Sequence, residues 1–289
     1  MLRKLENYHR PEKLDDALRL LDECGAGARI LAGGTAVMAG KNNEIKTLID
    51  IKNTGLDKVS KRKNGVEAGA AVTIAGLLES PEIKKYCGGL VYEAAYHIAS
   101  TPLRNMITLG GNITQVFPWS DLPAALLACG AELTVAGPGG VRKLLYADAV
   151  KKHPTQMIAK NEIVTGVNFP ELPGYVGKFT KFSKTSFDFA LLDACVAVKI
   201  KNGMFEDARF AVSAAGTLPQ LLNESAALLK GVKTTDSKAV SNAVQKAVSE
   251  TVFTGDKRVS VEYKKQILPV LIERLIDAAI KQNEGADAK

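Results

Sequence analysis

Ile30-Leu31-Ala32-Gly33-Gly34-Thr35-Ala36-Val37 and Thr108-Leu109-Gly110-Gly111-Asn112-Ile113 are the stretches from which the fold is read, each a Gly-Gly pair beside a hydroxyl or amide side chain. Glycine admits positive φ and lets the backbone come close to a ligand. Consecutive N–H groups can then converge on one anionic oxygen, with Thr35, Thr108 or Asn112 adding a side-chain hydrogen bond. Two such cradles suit the two sides of a pyrophosphate. Read singly, each pair is equally the mark of a tight turn. Neither has the spacing of the dinucleotide fingerprint or of the P-loop, so a conventional nucleotide fold has no support.

Upstream of the first pair, residues 13–23 set Leu14, Ala17, Leu18 and Leu21 at helical spacing, an amphipathic helix that ends near Gly25 and Gly27. Arg29–Ala32 is a short apolar strand halted by Gly33-Gly34, and Thr47–Ile51 is a second. Val66–Val72 reads as a strand, Thr73 as the N-cap of a helix through Leu78, and Leu90–Ile98 as a helix. In 121–135, Asp121 opens a helix with Pro123 in its first turn, followed by a glycine stop and a strand. After a strand at Ile163–Phe169, the stretch Pro170–Gly177 holds two prolines and two glycines, the clearest domain boundary on the chain. Beyond it, Ala190–Ile200 and Ala208–Ala214 are strand-like, whereas 222–247 and Tyr263–Ile280 are helical, an α+β pattern. The polar residues 284–289 are expected to fray.

The chain has 289 residues, 46% of them hydrophobic and 24% charged. That is the balance of an ordinary globular protein of two domains, with no apolar run near the ~20 residues that span a bilayer. Residues 1–15 are charged and lack the apolar core of a secretory signal, so the expected location is cytoplasmic. Cys24, Cys87, Cys129 and Cys195 are too dispersed for disulfide or cluster motifs, and His9, His97 and His153 form no ligand set, so no metal is expected. The net charge of +7 is read as solvated surface. A nucleic-acid face would interleave cations with aromatic rings, and 6% aromatic residues supply few of them.

Taken in order, A-G-G-T after a strand, T-L-G-G-N-I, and Ser120-Asp121-Leu122-Pro123 opening a helix resemble the FAD-binding subunits of the molybdenum hydroxylases. That family includes the flavin subunits or domains of xanthine dehydrogenase, carbon monoxide dehydrogenase and nicotinate dehydrogenase. The likeness extends over roughly residues 1–280, with Leu48–Leu56, Gly69–Leu77, Arg104–Thr108, Lys181–Ala190 and Glu262–Arg274 in the family's order. It implies an α+β chain. Residues 1–174 would form a two-lobed FAD-binding domain of the PCMH (vanillyl-alcohol-oxidase-like) type, with lobes at about 1–55 and 56–174. A C-terminal α+β domain of the CO-dehydrogenase flavoprotein type would follow at 178–283, then a tail at 284–289.

The resemblance also implies a site. Ile30, Leu31, Ala32, Gly33, Gly34, Thr35, Ala36 and Val37, with Thr108, Gly110, Gly111, Asn112 and Thr114, would hold the FAD pyrophosphate and adjoining ribityl chain. Asp121 would contact the ribityl or adenosine portion, the alternative being an N-cap of its helix. Lys181 would face the pyrimidine edge of the flavin and raise its potential, the alternative being a surface lysine. Phe189 would lie against the ring and control access of an acceptor, or be a core phenylalanine. Val164 would line the flavin or adenine pocket, or be strand core. Departures from the family pattern are Ala36, where an acidic residue is common, and the bulky Gln115, Phe117 and Trp119 after the second pair. Trp119, the only tryptophan, is read as packing a loop or stacking on the flavin.

The implied function is electron transfer. Electrons would leave a substrate on a molybdopterin-binding large subunit, cross the [2Fe-2S] clusters of a small subunit, reach FAD here and pass to NAD(P)+ or another acceptor. No catalytic acid, base or nucleophile of the chain's own is expected, because the redox chemistry belongs to the cofactor. Two alternatives stand beside this reading: a self-contained FAD-dependent reductase of the same flavin-binding fold, and a flavin-free scaffold subunit.

Overall fold

A computed structural model describes residues 2, 4–40, 44–115, 117–153 and 156–287, the side chains of 286 and 287 excepted. The chain divides into two compact units. The first comprises Met1–Glu82, Ala99–Val116 and Ala131–Pro170, and the second Ile83–Ile98, Phe117–Gly130 and Glu171–Lys289.

In the first unit β1 (Asn7–His9), β2 (Ala28–Leu31) and β3 (Thr47–Asp50) form a parallel sheet in the order β1-β3-β2. Strands that run parallel in one sheet are joined by crossovers, and the helix Leu14–Cys24 supplies the one from β1 to β2, burying Ala17 and Leu21 with Ile49 and Ile51. The central strand β3 is buried at every position. A second sheet joins β4 (Val59–Arg62), β5 (Gly65–Gly69), β6 (Glu132–Gly137), β7 (Gly140–Leu145) and β8 (Ile163–Pro170), all antiparallel, in the order β4-β5-β8-β6-β7. Its edge strands β4 and β7 carry lysine and arginine, as edges that must avoid pairing commonly do. Thr73 caps the helix Ile74–Glu79 as expected, its hydroxyl accepting from the Gly76 amide at 3.0 Å.

The second unit is built on β9 (Tyr175–Phe182), β10 (Leu192–Lys201), β11 (Met204–Ser213) and β12 (Gln220–Leu221), antiparallel in the order β12-β11-β10-β9. Leu192, Ala194, Val196 and Val198 on one face of β10 enter a core with Val244 and Ala247 of the helix Ser237–Glu250 and Leu268, Leu271 and Ile276 of the helix Val261–Asp287. Period-two alternation turns Asp193 and Cys195 to the opposite face. Against β10 and β11 lies the helix Leu122–Cys129, apolar all round and buried at each of its eight residues.

Three readings from sequence are corrected here. Tyr175, Val176 and Gly177 belong to β9, so the irregular part of the proline–glycine stretch is shorter than its composition suggests. The helical span 222–247 is interrupted: Asn223–Ala227 and Ser237–Glu250 are separate helices, with Asp236 accepting from the Ala239 amide to start the second. The closing helix runs on to Asp287, so residues 284–287 extend it, while 288 and 289 lie outside the described residues.

Candidate functional site

In the first unit β2 delivers Ile30 and Leu31 to the turn Ala32-Gly33-Gly34, and Thr35–Ala39, holding Ala36 and Val37, forms a short helix. Gly34 has a φ of 76°, the left-handed region where a side chain is strained. Gly33 is dictated by proximity instead, since a Cβ there would overlap the carbonyl of Met106. That close approach sets the two glycine stretches side by side. Among the described residues the amides of Gly33, Gly34 and Thr35 donate to no backbone carbonyl, so they remain for an incoming acceptor.

The second pair departs from the expected cradle. Gly110 and Gly111 lie in the helix Leu109–Gln115, and neither has a positive φ. Leu109 donates to the Val72 carbonyl at 2.8 Å and Gly110 to the Ala70 carbonyl at 2.9 Å. The Gly111 amide faces the Thr108 hydroxyl at 3.3 Å, and the Asn112 amide donates to the Thr108 carbonyl at 2.9 Å. With the amides of residues 109–112 spent, this segment offers side chains. Thr114 donates its hydroxyl to the Gly110 carbonyl at 2.7 Å, and Asn112 holds a buried Oδ1 with no hydrogen-bond partner. Val164 is buried in β8 opposite Val135.

In the second unit the Asp121 side chain makes no capping bond; its Oδ1 lies 3.3 Å from Lys181 Nζ. The two side chains are 8% and 4% exposed, so Lys181 is no surface lysine. Lys181 Nζ also donates to the His97 carbonyl at 3.1 Å. Burial pushes the Asp121 carboxyl up to about 6, with the Lys181 charge opposing it. Asp193 sits across from Lys181 in the β9–β10 register, fully buried, its Oδ2 accepting from the Ser213 hydroxyl at 3.0 Å. Burial first, and then the Asp121 charge, push the Asp193 carboxyl well above the usual range. Burial and the Lys181 charge push His97 down. A buried ammonium paired with one carboxyl and facing a second across the strand register, both with a raised affinity for protons, is a centre of charge held away from water.

Phe189 is 60% exposed and therefore not core. Its ring centroid lies 4.9 Å from that of Trp119, which stacks on Phe117 at 5.4 Å. Arg258 lies over the Trp119 ring at 6.0 Å.

Two family profiles match nearly the whole chain: "FAD binding domain in molybdopterin dehydrogenase" at residues 3–172 and "CO dehydrogenase flavoprotein C-terminal domain" at residues 178–279. The chain belongs to the molybdopterin dehydrogenase flavoprotein family. The carbon monoxide dehydrogenase medium chain of Afipia carboxidovorans is 28% identical, over 94% of this chain and 96% of its own length. The glyceraldehyde dehydrogenase medium chain of Sulfolobus acidocaldarius is 30% identical, over 92% and 95%. Among solved structures, reconstituted CO dehydrogenase from Oligotropha carboxidovorans matches with a TM-score of 0.90 at 27% identity, over 96% of this chain and 99% of that one.

As a member of this flavoprotein family the chain is an oxidoreductase subunit whose cofactor is FAD. Within the first unit the residues present suit that group: free amides at the first glycine turn and an unpartnered buried oxygen on Asn112. Sequence reasoning missed Asp193, His97 and Arg258. A lone aspartate inside the apolar run Leu191–Val198 was a legible signal, because such residues are rarely buried without a purpose; Arg258 carried none. A surface cavity of about 350 Å³ in the second unit, lined by Tyr92, Tyr96, His97, Lys178 and Arg274 among others, contains none of the cofactor-site residues expected from sequence. Among the described residues no cluster of three His, Cys, Asp or Glu side chains gathers as a metal site, and no helix is long and apolar enough to cross a membrane.

Proposed function

We propose that this chain is the FAD-carrying electron-transfer subunit of a molybdenum hydroxylase complex. Its partners in this reading are a molybdopterin-binding large subunit, where substrate is oxidised, and a small subunit whose [2Fe-2S] clusters deliver the electrons, with NAD(P)+ or another acceptor taking them away. The observation that carries the reading is the match of both family profiles in tandem, at residues 3–172 and 178–279. A self-contained reductase is disfavoured by the second of these. The corresponding division is a flavin domain of residues 1–174, with lobes at about 1–55 and 56–174, and a C-terminal domain of residues 178–283.

Residues 30–37 would hold the pyrophosphate on the free amides of Gly33, Gly34 and Thr35. Thr108, Asn112 and Thr114 would bind through side chains, with Gly110 keeping that segment close-packed on Ala70 and Gly111 leaving its exposed side open to the ligand. Asp121 would fix Lys181, which in turn would stabilise negative charge at the flavin's pyrimidine edge. Phe189 would cover the ring, and Val164 would back the pocket from β8. Bound FAD supplies the chemistry, accepting electrons singly and releasing them in pairs. Four unpaired thiols suit a reducing compartment, and we place the complex in the cytoplasm.

The test is a visible absorption spectrum of the purified chain before and after dithionite, with the released cofactor identified by mass. Near-stoichiometric FAD that bleaches, without iron–sulfur absorbance, is expected. A colourless chain that refuses added FAD would overturn the reading and favour the scaffold alternative.

A further inference from the structure

Phe117, Trp119, Phe189 and Arg258 come from three separate stretches of the second unit and meet in one stack. Phe117 and Trp119 lie with ring planes 2° apart. Phe117 and Phe189 are 42% and 60% exposed, so burial does not hold them in place. Phe189 sits in an irregular segment between β9 and β10, tied down by the Leu191 amide on the Phe182 carbonyl at 2.8 Å and the Asp188 amide on the Thr185 carbonyl at 3.2 Å. Nothing in those bonds fixes the Phe189 ring.

Arg258 does. Its Nη1 donates to the Phe189 carbonyl at 3.4 Å, and its guanidinium carbon stands 6.0 Å over the Trp119 ring. Nε and Nη2 are both fastened to Asp256 Oδ2, at 3.1 and 2.7 Å, and Asp256 Oδ1 accepts from the Arg258 amide at 2.7 Å. One planar cation thus anchors the backbone of Phe189 and the ring beside it, a use that the point charge of lysine could not replace in full.

We propose that Arg258 and Trp119 are positioning residues for Phe189, holding its ring over the flavin and so limiting which acceptors reach the cofactor. This rests on the assignment of Phe189 to the flavin. When the clamp is released, the loop swings and the covered face opens to small acceptors such as oxygen.

The single tryptophan makes the clamp observable without any cofactor. In the cofactor-free full chain, Arg258→Ala is expected to lower the fluorescence anisotropy of Trp119 at unchanged circular dichroism. In the FAD-loaded chain reduced with dithionite, Arg258→Ala and Trp119→Ala should each speed reoxidation by oxygen about tenfold, with Arg258→Lys between wild type and Arg258→Ala. Wild-type anisotropy in Arg258→Ala, together with wild-type reoxidation rates in both alanine variants, would overturn the clamp. FAD that loads fully yet leaves wild-type Trp119 emission unquenched would instead remove the assignment of Phe189 to the flavin, a separate failure.

Discussion

Gly33-Gly34 and Gly110-Gly111 share one unit, but only the first pair is a turn. Gly34 takes a positive φ and its neighbours' amides are free, whereas Gly110 and Gly111 wind into a helix whose amides are already bonded. What the pairs have in common is their first glycine. A Cβ on Gly33 would run into the Met106 carbonyl, and one on Gly110 would come within 2.7 Å of the Ala70 Cβ. Proximity therefore fixes one glycine of each pair, and conformation fixes Gly34 alone. In ligand terms the first stretch would bind through backbone donors and the second through side chains, so the two should respond to different mutations.

Gly33→Ala should do the most damage, because its obstacle is backbone and neither segment can move without losing the other. A cost of about 3 kcal/mol or more is expected, which a thermal melt would read as a drop of roughly 10 °C, together with loss of bound FAD. A wild-type melt would show that the two glycine stretches do not abut. Gly110→Ala should cost less, about 1–2 kcal/mol, since overpacking against Ala70 is partly offset by the better helix propensity of alanine. Chemical denaturation that found it as harmful as Gly33→Ala would erase the distinction between an overlap at 1.9 Å and one at 2.7 Å.

Much of this was legible in the sequence where local chemistry decides. The spacing of Leu14, Ala17, Leu18 and Leu21 gave the first helix, and Thr73 gave the cap of the helix Ile74–Glu79. The second glycine pair was misread because helix propensity counts against Gly110-Gly111, whereas hydrogen bonds to Ala70 and Val72 dock this segment and override it. The edge strands β4 and β7 escaped notice because an exposed strand rich in Lys and Arg has no apolar alternation to display. The Asp121–Lys181 pair joins residues sixty positions apart, and neither neighbourhood hints at the other. The same holds for Arg258 and Phe189.

Asn112 separates ligand binding from folding. Its Oδ1 is buried and unpartnered, so in the absence of cofactor it is a burden rather than a support. Asn112→Leu should leave the melting temperature of the cofactor-free chain unchanged or slightly higher, because removing an unsatisfied polar atom recovers its desolvation cost. FAD affinity should fall about tenfold, the loss of roughly one good hydrogen bond. A fluorescence titration with undiminished affinity would mean that Asn112 faces no ligand, and the side-chain half of the comparison would go with it.

Gly111 provides the finest contrast. It is exposed, its φ is not positive, and a Cβ would meet only the Thr108 hydroxyl, at 3.0 Å. Alanine is favoured over glycine in a helix by about 1 kcal/mol, while a contact that tight asks the Thr108 side chain to give by a few tenths of an ångström. Thr108 is 2% exposed and its backbone bridges to Thr73, so its freedom to yield is limited and most of the helix gain is spent there. The net change in stability should stay within about 0.5 kcal/mol. Equilibrium denaturation of Gly111→Ala beside Gly34→Ala decides the matter: the second should be worse by about 1 kcal/mol, because at φ 76° an L-residue meets strain that no neighbour can relieve. Equal losses would mean that the second pair, like the first, is held by its conformation, and the helix at Leu109–Gln115 would no longer explain why glycine stands at 111.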